Sequence, residues 1–194
     1  LIVQDEIRRL GQLVSDLVTI TRAEISSQNL AVQPLGMADL VQQAMALLEP
    51  LEQQRLVVIS PQGGDPNAIE VFADRDAVLQ CLLNLINNAC TYSPAAAPIE
   101  IGYLFQPERV VVQVRDHGPG VASEERALVF ERFRRGRNSE GIPGSGIGLA
   151  VVQTLIASMG GSVSIEDAEG GGAVVLLGFR RCAFPAPEAH PPHH

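Results

Sequence analysis

Nowhere in the sequence does an apolar run approach the roughly 20 residues that a bilayer-spanning helix needs. Its opening stretch, LIVQDEIRRL, carries charge too early for a secretory signal. Neither C-x-x-C nor H-E-x-x-H spacing occurs, which excludes those zinc-site and redox patterns. Cysteine is scarce: Cys81, Cys90 and Cys182 are all there is. An odd count, with two of the three too far apart on one expected helix to bridge, excludes a disulfide framework. It points instead to a reducing, cytoplasmic setting, with any membrane anchor upstream of Leu1. Positive charge is also in short supply, with 14 basic residues against 22 acidic, a net charge of -8 and a pI near 4.9. That balance argues against general binding to nucleic acid or to an anionic membrane surface. An anionic ligand would need a local basic pocket.

What is present suits a globular domain. The 194 residues, 46% of them hydrophobic, are enough for one good-sized core and an appended element. They lack an initiator methionine and read as a piece of a longer chain. Residues 1–27 read as an amphipathic helix. Val3, Ile7, Leu10, Val14 and Leu17 follow alternating steps of four and three, the seam of a coiled coil or helical bundle. Such a seam needs a partner helix, from upstream or from a second copy; an ordinary surface helix on its own domain fits the pattern equally well. A short strand is expected at 30–35, then a helix from Met37 to Leu51 with Pro50 near its end. RLVVIS and IEVFA read as strands, and Asp74 as the N-cap of the next helix. IEIGYLF and RVVVQVRD are two further strands. SEERALVFERF reads as a short helix capped by Ser123, and IGLAVVQTLIASM as a helix stopped by Gly160 and Gly161. SVSIEDAEGGGAVVLLGF reads as a hairpin, and the Pro- and His-rich tail over 182–194 as disordered. The expected class is α+β: a mixed or antiparallel sheet with helices on one face, preceded by a helical arm.

Four local features carry chemistry. In LLNLINNACTYSP, Asn84 and Asn88 stand one helical turn apart in an otherwise apolar helix, where amides are costly to bury. An amide offers a donor and an acceptor, and its oxygen can ligate Mg²⁺. Any one such Asn is more often exposed or a cap. In DHGPG, Asp116 follows a strand and two glycines let backbone approach a flat ligand. Alone this is a common turn. In FERFRRGR, two phenylalanines can anchor a loop carrying Arg132, Arg134, Arg135 and Arg137, and guanidinium matches phosphate geometry. For most of these arginines a solvated loop is the simpler reading. In GSGIGLA, glycines leave backbone N–H groups open at a helix start, an anion cradle unlike the P-loop or dinucleotide fingerprints in spacing.

Taken in this order, the four resemble the catalytic ATP-binding domain of bacterial sensor histidine kinases. That group shares its nucleotide fold with gyrase, MutL and the ninety-kilodalton heat-shock chaperones. NLINNACTYS resembles the N-box, DHGPG the first glycine box, VFERF the F-box and GSGIGLAVV the second glycine box. MGGSVSIEDAEGGGAVVLLGF resembles the closing hairpin. EIRRLGQLVSDLVTITRAE resembles the second helix of the dimerisation and phosphoacceptor hairpin. The resemblance covers residues 1 to about 181.

It implies a two-layer α/β sandwich of the Bergerat type over 28–181, preceded over 1–27 by half of the dimerisation hairpin. It implies ATP and Mg²⁺ as cofactors. Asn88 would ligate Mg²⁺ and Asn84 would lie beside the phosphates. Tyr92 would stack near the adenine, and Asp116 would accept its exocyclic amine, with Gly118 and Gly120 permitting the approach. Arg135 would reach the phosphates from a lid over roughly 130–143. Gly144, Ser145, Gly146, Ile147, Gly148 and Leu149 would receive the phosphate tail. ATP-hydrolysing relatives carry a glutamate where Asn84 stands, so phosphoryl transfer is favoured over hydrolysis. The implied partners are a response regulator and a second copy through the arm.

Three departures stand out. Thr91 replaces the usual N-box lysine, and Met159 the usual histidine before the Gly-Gly pair. None of His117, His190, His193 and His194 lies on the arm, so the acceptor histidine is expected on a helix missing from this chain. Two rivals stay open: a scaffold that has lost nucleotide chemistry, kept alive by Thr91, and a serine kinase of the anti-sigma type, which the heptad arm disfavours.

Overall fold

The structure, a computed structural model, describes residues 2–58, 70–137 and 144–182; the side chains of 2–10, 12, 13, 15, 16 and 51 lie outside that description. A long helix, α1 (Ile2–Gln28), leads into a short strand β1 (Gln33–Gly36) and helix α2 (Met37–Ala46). The expected single helix to Leu51 is divided. Pro50 cannot donate a backbone hydrogen bond, so it opens a separate turn, α3 (Pro50–Gln53), rather than closing α2. Strands β2 (Leu56–Val58) and β3 (Glu70–Ala73) precede the central helix α4 (Arg75–Tyr92). Asp74 caps α4 as expected: its carboxylate accepts from the Ala77 N–H at 2.9 Å. Strands β4 (Ile99–Phe105) and β5 (Arg109–Arg115), helix α5 (Gly148–Ser158), and strands β6 (Ser162–Asp167) and β7 (Ala173–Arg180) complete the order.

Five strands form a mixed sheet in the order β2-β4-β5-β7-β6, and β1 and β3 make a separate antiparallel pair. Only β2 and β4 run parallel, because α4 lies between them in the chain and returns it to the same end. Period-two alternation sets the layers. Val110, Val112 and Val114 of β5 and Ile99, Ile101 and Tyr103 of β4 point inward and are buried. Against them pack Val78, Leu82, Leu85 and Ile86 of α4 and Val152, Leu155 and Ile156 of α5. Met37, Leu40, Val41 and Ala44 of α2 close the helical layer over α4. The result is the expected two-layer sandwich.

Two local expectations fail. The segment 123–133 is not one helix but two 3-10 turns, Ser123–Glu125 and Leu128–Phe130. Ser123 caps neither; its hydroxyl donates to Glu124 at 3.1 Å. Nor do both phenylalanines anchor the loop that follows. Phe130 is buried in a small cluster with Val129, Ile165 and Ala173, whereas Phe133 is 57% exposed with φ +62. Gly160, at φ +71, stops α5 as expected. The disordered-tail reading over 182–194 fails at Cys182, which is buried and whose N–H donates to the Glu70 carbonyl at 2.9 Å; residues 183–194 lie outside the described residues.

α1 lies on α5 through its C-terminal part, where Ile20 and Ala23 are buried. Farther up, Val14 and Leu17 are 62% and 63% exposed. At these two seam positions no described residue provides cover; Val3, Ile7 and Leu10 lie outside the described side chains.

Candidate functional site

A cavity of about 520 Å³ opens between α4, α5, the ends of β5 and β7 and the loop over 119–136. Asn84, Asn88 and Tyr92 line it as an i, i+4, i+8 stripe along α4. At 1.5 Å rise per residue the stripe spans about 12 Å, so the cavity has two distinct ends.

At one end Asn84 and Asn88 face the start of α5. A Cβ built on Gly148 would lie 3.7 Å from Asn88 Nδ2 and 3.8 Å from Asn84 Oδ1. No described side chain caps α5, whose first residues after Ile147 therefore present open N–H groups to the cavity. Asn84 Nδ2 is buried with no hydrogen-bond partner among the described residues. A buried orphan donor costs on the order of 1–3 kcal/mol. The open N–H groups at the start of α5 suit an anion. Gly144, Ser145, Gly146, Ile147 and Leu149 also line this wall. Gly146 lets the chain pass at φ +74 where a Cβ would lie 2.6 Å from the Arg134 carbonyl oxygen.

At the other end sits Asp116. Its Oδ1 accepts from the Gly118 N–H at 2.8 Å and the Ala173 N–H at 3.1 Å. Both donors hold one oxygen, which orients the carboxylate and presents the second oxygen elsewhere. Tyr92 and the apolar side chains of Val114, Val121, Val129, Ile165 and Val175 flank it. Gly172, at φ +92, brings β7 so close that a Cβ there would lie 2.1 Å from the Asp116 carbonyl oxygen. Gly120 lines the cavity but Gly118 does not: a Cβ on Gly118 would lie 2.8 Å from the Tyr92 carbonyl, so it serves loop packing. Behind the loop, the His117 N–H donates to Ser93 Oγ at 3.0 Å, and the His117 ring meets Glu100 at 3.0 Å.

The chain contains no lysine, so every side-chain cation apart from histidine is an arginine. Arg134 and Arg135 line the cavity; Arg134 bonds Glu131 at 3.1 Å. Arg137 pairs with Glu125 at 3.4 Å and Arg132 pairs with Glu24. Three of the loop's arginines thus pair with carboxylates while remaining largely exposed, as the solvated-loop reading expects. Residues 138–143, the rest of the expected lid, lie outside the described residues. The thiol of Cys81, on the buried face of α4, is pushed up to about 12 by burial and stays protonated.

Sequence reasoning did not anticipate Thr19, Asn87, Pro119, Glu125 or the apolar wall of this cavity. Strand alternation could have exposed Val114 and Val175. No local signal points to Thr19. The arrangement suits a ligand with a flat apolar ring at one end and an anionic tail at the other.

Comparisons with known proteins agree with this chemistry. Residues 73–181 match the family described as histidine kinase-, DNA gyrase B-, and HSP90-like ATPase. The signal transduction histidine-protein kinase/phosphatase MprB of Mycolicibacterium paratuberculosis is 33% identical over 168 residues, 86% of this chain and 31% of that protein. MprB of Mycobacterium tuberculosis is 32% identical over 187 residues, 93% of this chain and 36% of its own length. The chain therefore spans about a third of the curated relatives it matches. Among solved structures, full-length ShkA in complex with AMPPNP superposes with a TM-score of 0.71 at 29% identity, covering 91% of this chain and 37% of that one. The mycobacterial sensor histidine kinase MprB structure, at 24% identity, shares the fold with a TM-score of 0.64 over 78% of this chain and 98% of its own.

Proposed function

The chain belongs to the family of histidine kinase-, DNA gyrase B- and HSP90-like ATPases, and from that premise we propose that it is the ATP-binding catalytic part of a sensor histidine kinase. The observation that carries this reading is the two-ended cavity. Its anion-seeking end combines the orphan amide of Asn84 with the open start of α5, and its apolar end holds one oriented carboxylate.

ATP fits both ends. Adenine lies against Tyr92 and the apolar wall, and its exocyclic amine donates to the second oxygen of Asp116. The phosphates lie along Gly144–Leu149, with Asn84 donating and Arg135 neutralising. The Asn88 amide oxygen would hold Mg²⁺, which would supply charge neutralisation on the phosphates. Asn84 has no carboxylate with which to activate water, so the residues favour transfer over hydrolysis. Phosphoryl transfer is mostly positioning and electrostatics, which is what these groups provide.

The acceptor in this reading is a histidine outside these 194 residues, whose ring nitrogen attacks the γ-phosphorus as ADP leaves. The phosphoryl group then passes to an aspartate of a response regulator. Residues 1–27 act as the second helix of a dimerisation hairpin, with Val14 and Leu17 facing a partner helix. Domain 28–181 carries the chemistry. Among the described residues no helix is long and apolar enough to cross a membrane, so an anchor in this reading lies elsewhere in the protein.

Calorimetric titration with a non-hydrolysable ATP analogue, with and without Mg²⁺, tests the site. Magnesium-dependent binding is expected; no binding at millimolar ligand overturns the reading in favour of a scaffold. Labelled ATP, followed by acid treatment of the phosphoprotein formed with a longer chain, tests the reaction. Phosphohistidine is lost in acid, whereas retained label would indicate the serine-kinase alternative.

A further inference from the structure

We propose that Thr19 of α1 is a contact residue of the nucleotide site, held in place by the Glu24–Arg132 pair, so that the arm is one wall of the cavity rather than only a spacer. This rests on the nucleotide reading above.

Three observations converge. First, Thr19 lines the cavity although it lies far from every glycine-box and N-box residue in sequence. Second, its neighbour Ile20 shares a small cleft with Ala150, Val151 and Thr154, the first turns of α5. Thr19 therefore stands beside the start of α5, where Gly148 faces the two asparagines and the anionic tail is expected. A short polar side chain there, itself engaged within the protein, borders the place of the anionic tail. Third, Glu24, just over one turn along α1, pairs with Arg132 of the loop that carries Arg134 and Arg135 into the cavity. The arm thus holds both its own hydroxyl and the arginine loop in one arrangement.

The sign of the coupling follows from space. With the arm seated, the cavity still measures about 520 Å³. That lies within the roughly 300–1,000 Å³ of ordinary ligand sites, so the seated arm and a bound nucleotide are compatible. The arm adds a contact, and by reciprocity a bound nucleotide must hold the arm on α5.

Thr21 provides an internal control. Its hydroxyl donates to the Leu17 carbonyl at 2.8 Å, it is exposed, and it is not among the cavity-lining residues. Thr19→Glu and Thr21→Glu make the same charge change two residues apart, on a helix that accepts glutamate well. In titrations with a non-hydrolysable ATP analogue and Mg²⁺, Thr19→Glu is expected to weaken binding by about tenfold or more through repulsion of the phosphates. Thr21→Glu is expected to stay within about twofold, because an exposed charge beyond the cavity is screened. Thr19→Ala, which removes only the hydroxyl, is expected to lose about two- to fivefold. Glu24→Lys is expected to lose a similar amount, and Glu24→Lys with Arg132→Glu to regain it. Equal affinities for the two glutamate variants, with Asp116→Asn still weakening binding at least about 30-fold, would overturn the proposal and leave the nucleotide site intact. Failure of the unaltered chain to bind the analogue would overturn both.

Discussion

Asp116 and Ala173 hold each other through two hydrogen bonds: the Asp116 N–H donates to the Ala173 carbonyl at 2.9 Å, and the Ala173 N–H donates to Asp116 Oδ1 at 3.1 Å. The end of β5 and the start of β7 therefore fix the one carboxylate at the apolar end of the cavity. The consequence is directional. Oδ1 must be an acceptor, because two backbone donors already point at it.

That geometry makes Asp116→Asn a sharp test. The asparagine oxygen would stay with the Gly118 and Ala173 N–H groups. Its NH₂ would then point where the adenine amine arrives, donor against donor. Loss of about 2–3 kcal/mol of binding, roughly 30- to 150-fold, is expected in a calorimetric titration with the fold intact. Unchanged affinity would remove Asp116 from adenine recognition.

Gly172 is expected to be intolerant of any side chain. At φ +92 an alanine is strained, and its Cβ would overlap the Asp116 carbonyl. Gly172→Ala should cost at least about 1–3 kcal/mol of stability, read as a lower urea midpoint, and should weaken analogue binding as Asp116 shifts. A variant with wild-type stability and affinity would show that the β5–β7 contact yields freely.

The glycines at the anion end should differ among themselves. Gly146→Ala meets the Arg134 carbonyl at 2.6 Å with φ +74, whereas Gly148→Ala meets Asn84 and Asn88 only at ordinary contact distances. Gly146→Ala is expected to lose about tenfold or more in analogue affinity, and Gly148→Ala no more than about threefold. The reverse order would contradict the path drawn for the chain between Arg134 and α5.

Asn88→Ala is expected to remove most of the magnesium dependence of analogue binding while sparing metal-free binding. Titrations with and without Mg²⁺ give the ratio directly. A ratio unchanged from the parent chain would move the metal away from Asn88.

Alkaline pH should weaken the fold. Burial raises the Cys81 thiol from 9.0 to about 12 and the Tyr103 phenol from 10.0 to about 12. Both groups hold their proton more tightly when folded. Their stabilisation is complete below the unfolded values and is lost as pH rises from about 9 towards 12. Urea midpoints are expected to fall across that window, and Cys81→Ala to fall less steeply above pH 9. Identical pH slopes for the two proteins would show that Cys81 does not contribute.

Much of this protein was written in local pattern. The i, i+4, i+8 spacing of Asn84, Asn88 and Tyr92 is a statement about one helical face, and a helix needs no distant partner to express it. The Asp74 cap, the Gly160 stop and the β6–β7 hairpin are equally local, and each formed where its residues stand. Where local rules compete, local pattern does not settle the outcome. Pro50 opens a helix instead of closing one, and 123–133 forms two tight turns, the second of which buries Phe130 beside Ile165.

Sequence alone determined which residues are chemically capable: an apolar helix with two amides, a carboxylate at a strand end, glycines before a helix, and arginine as the only strong side-chain cation. Tertiary structure decided which of them meet. Gly172 matters only because β7 lies beside β5, Gly118 turned to Tyr92 rather than to the cavity, and Thr19 reached the site only because Ile20 and Ala23 seat α1 on α5. The physical reason is the same for all three. Periodicity and turn chemistry report the conformation of a few neighbouring residues, whereas these contacts join residues dozens to more than a hundred positions apart, brought together by burial of a shared core.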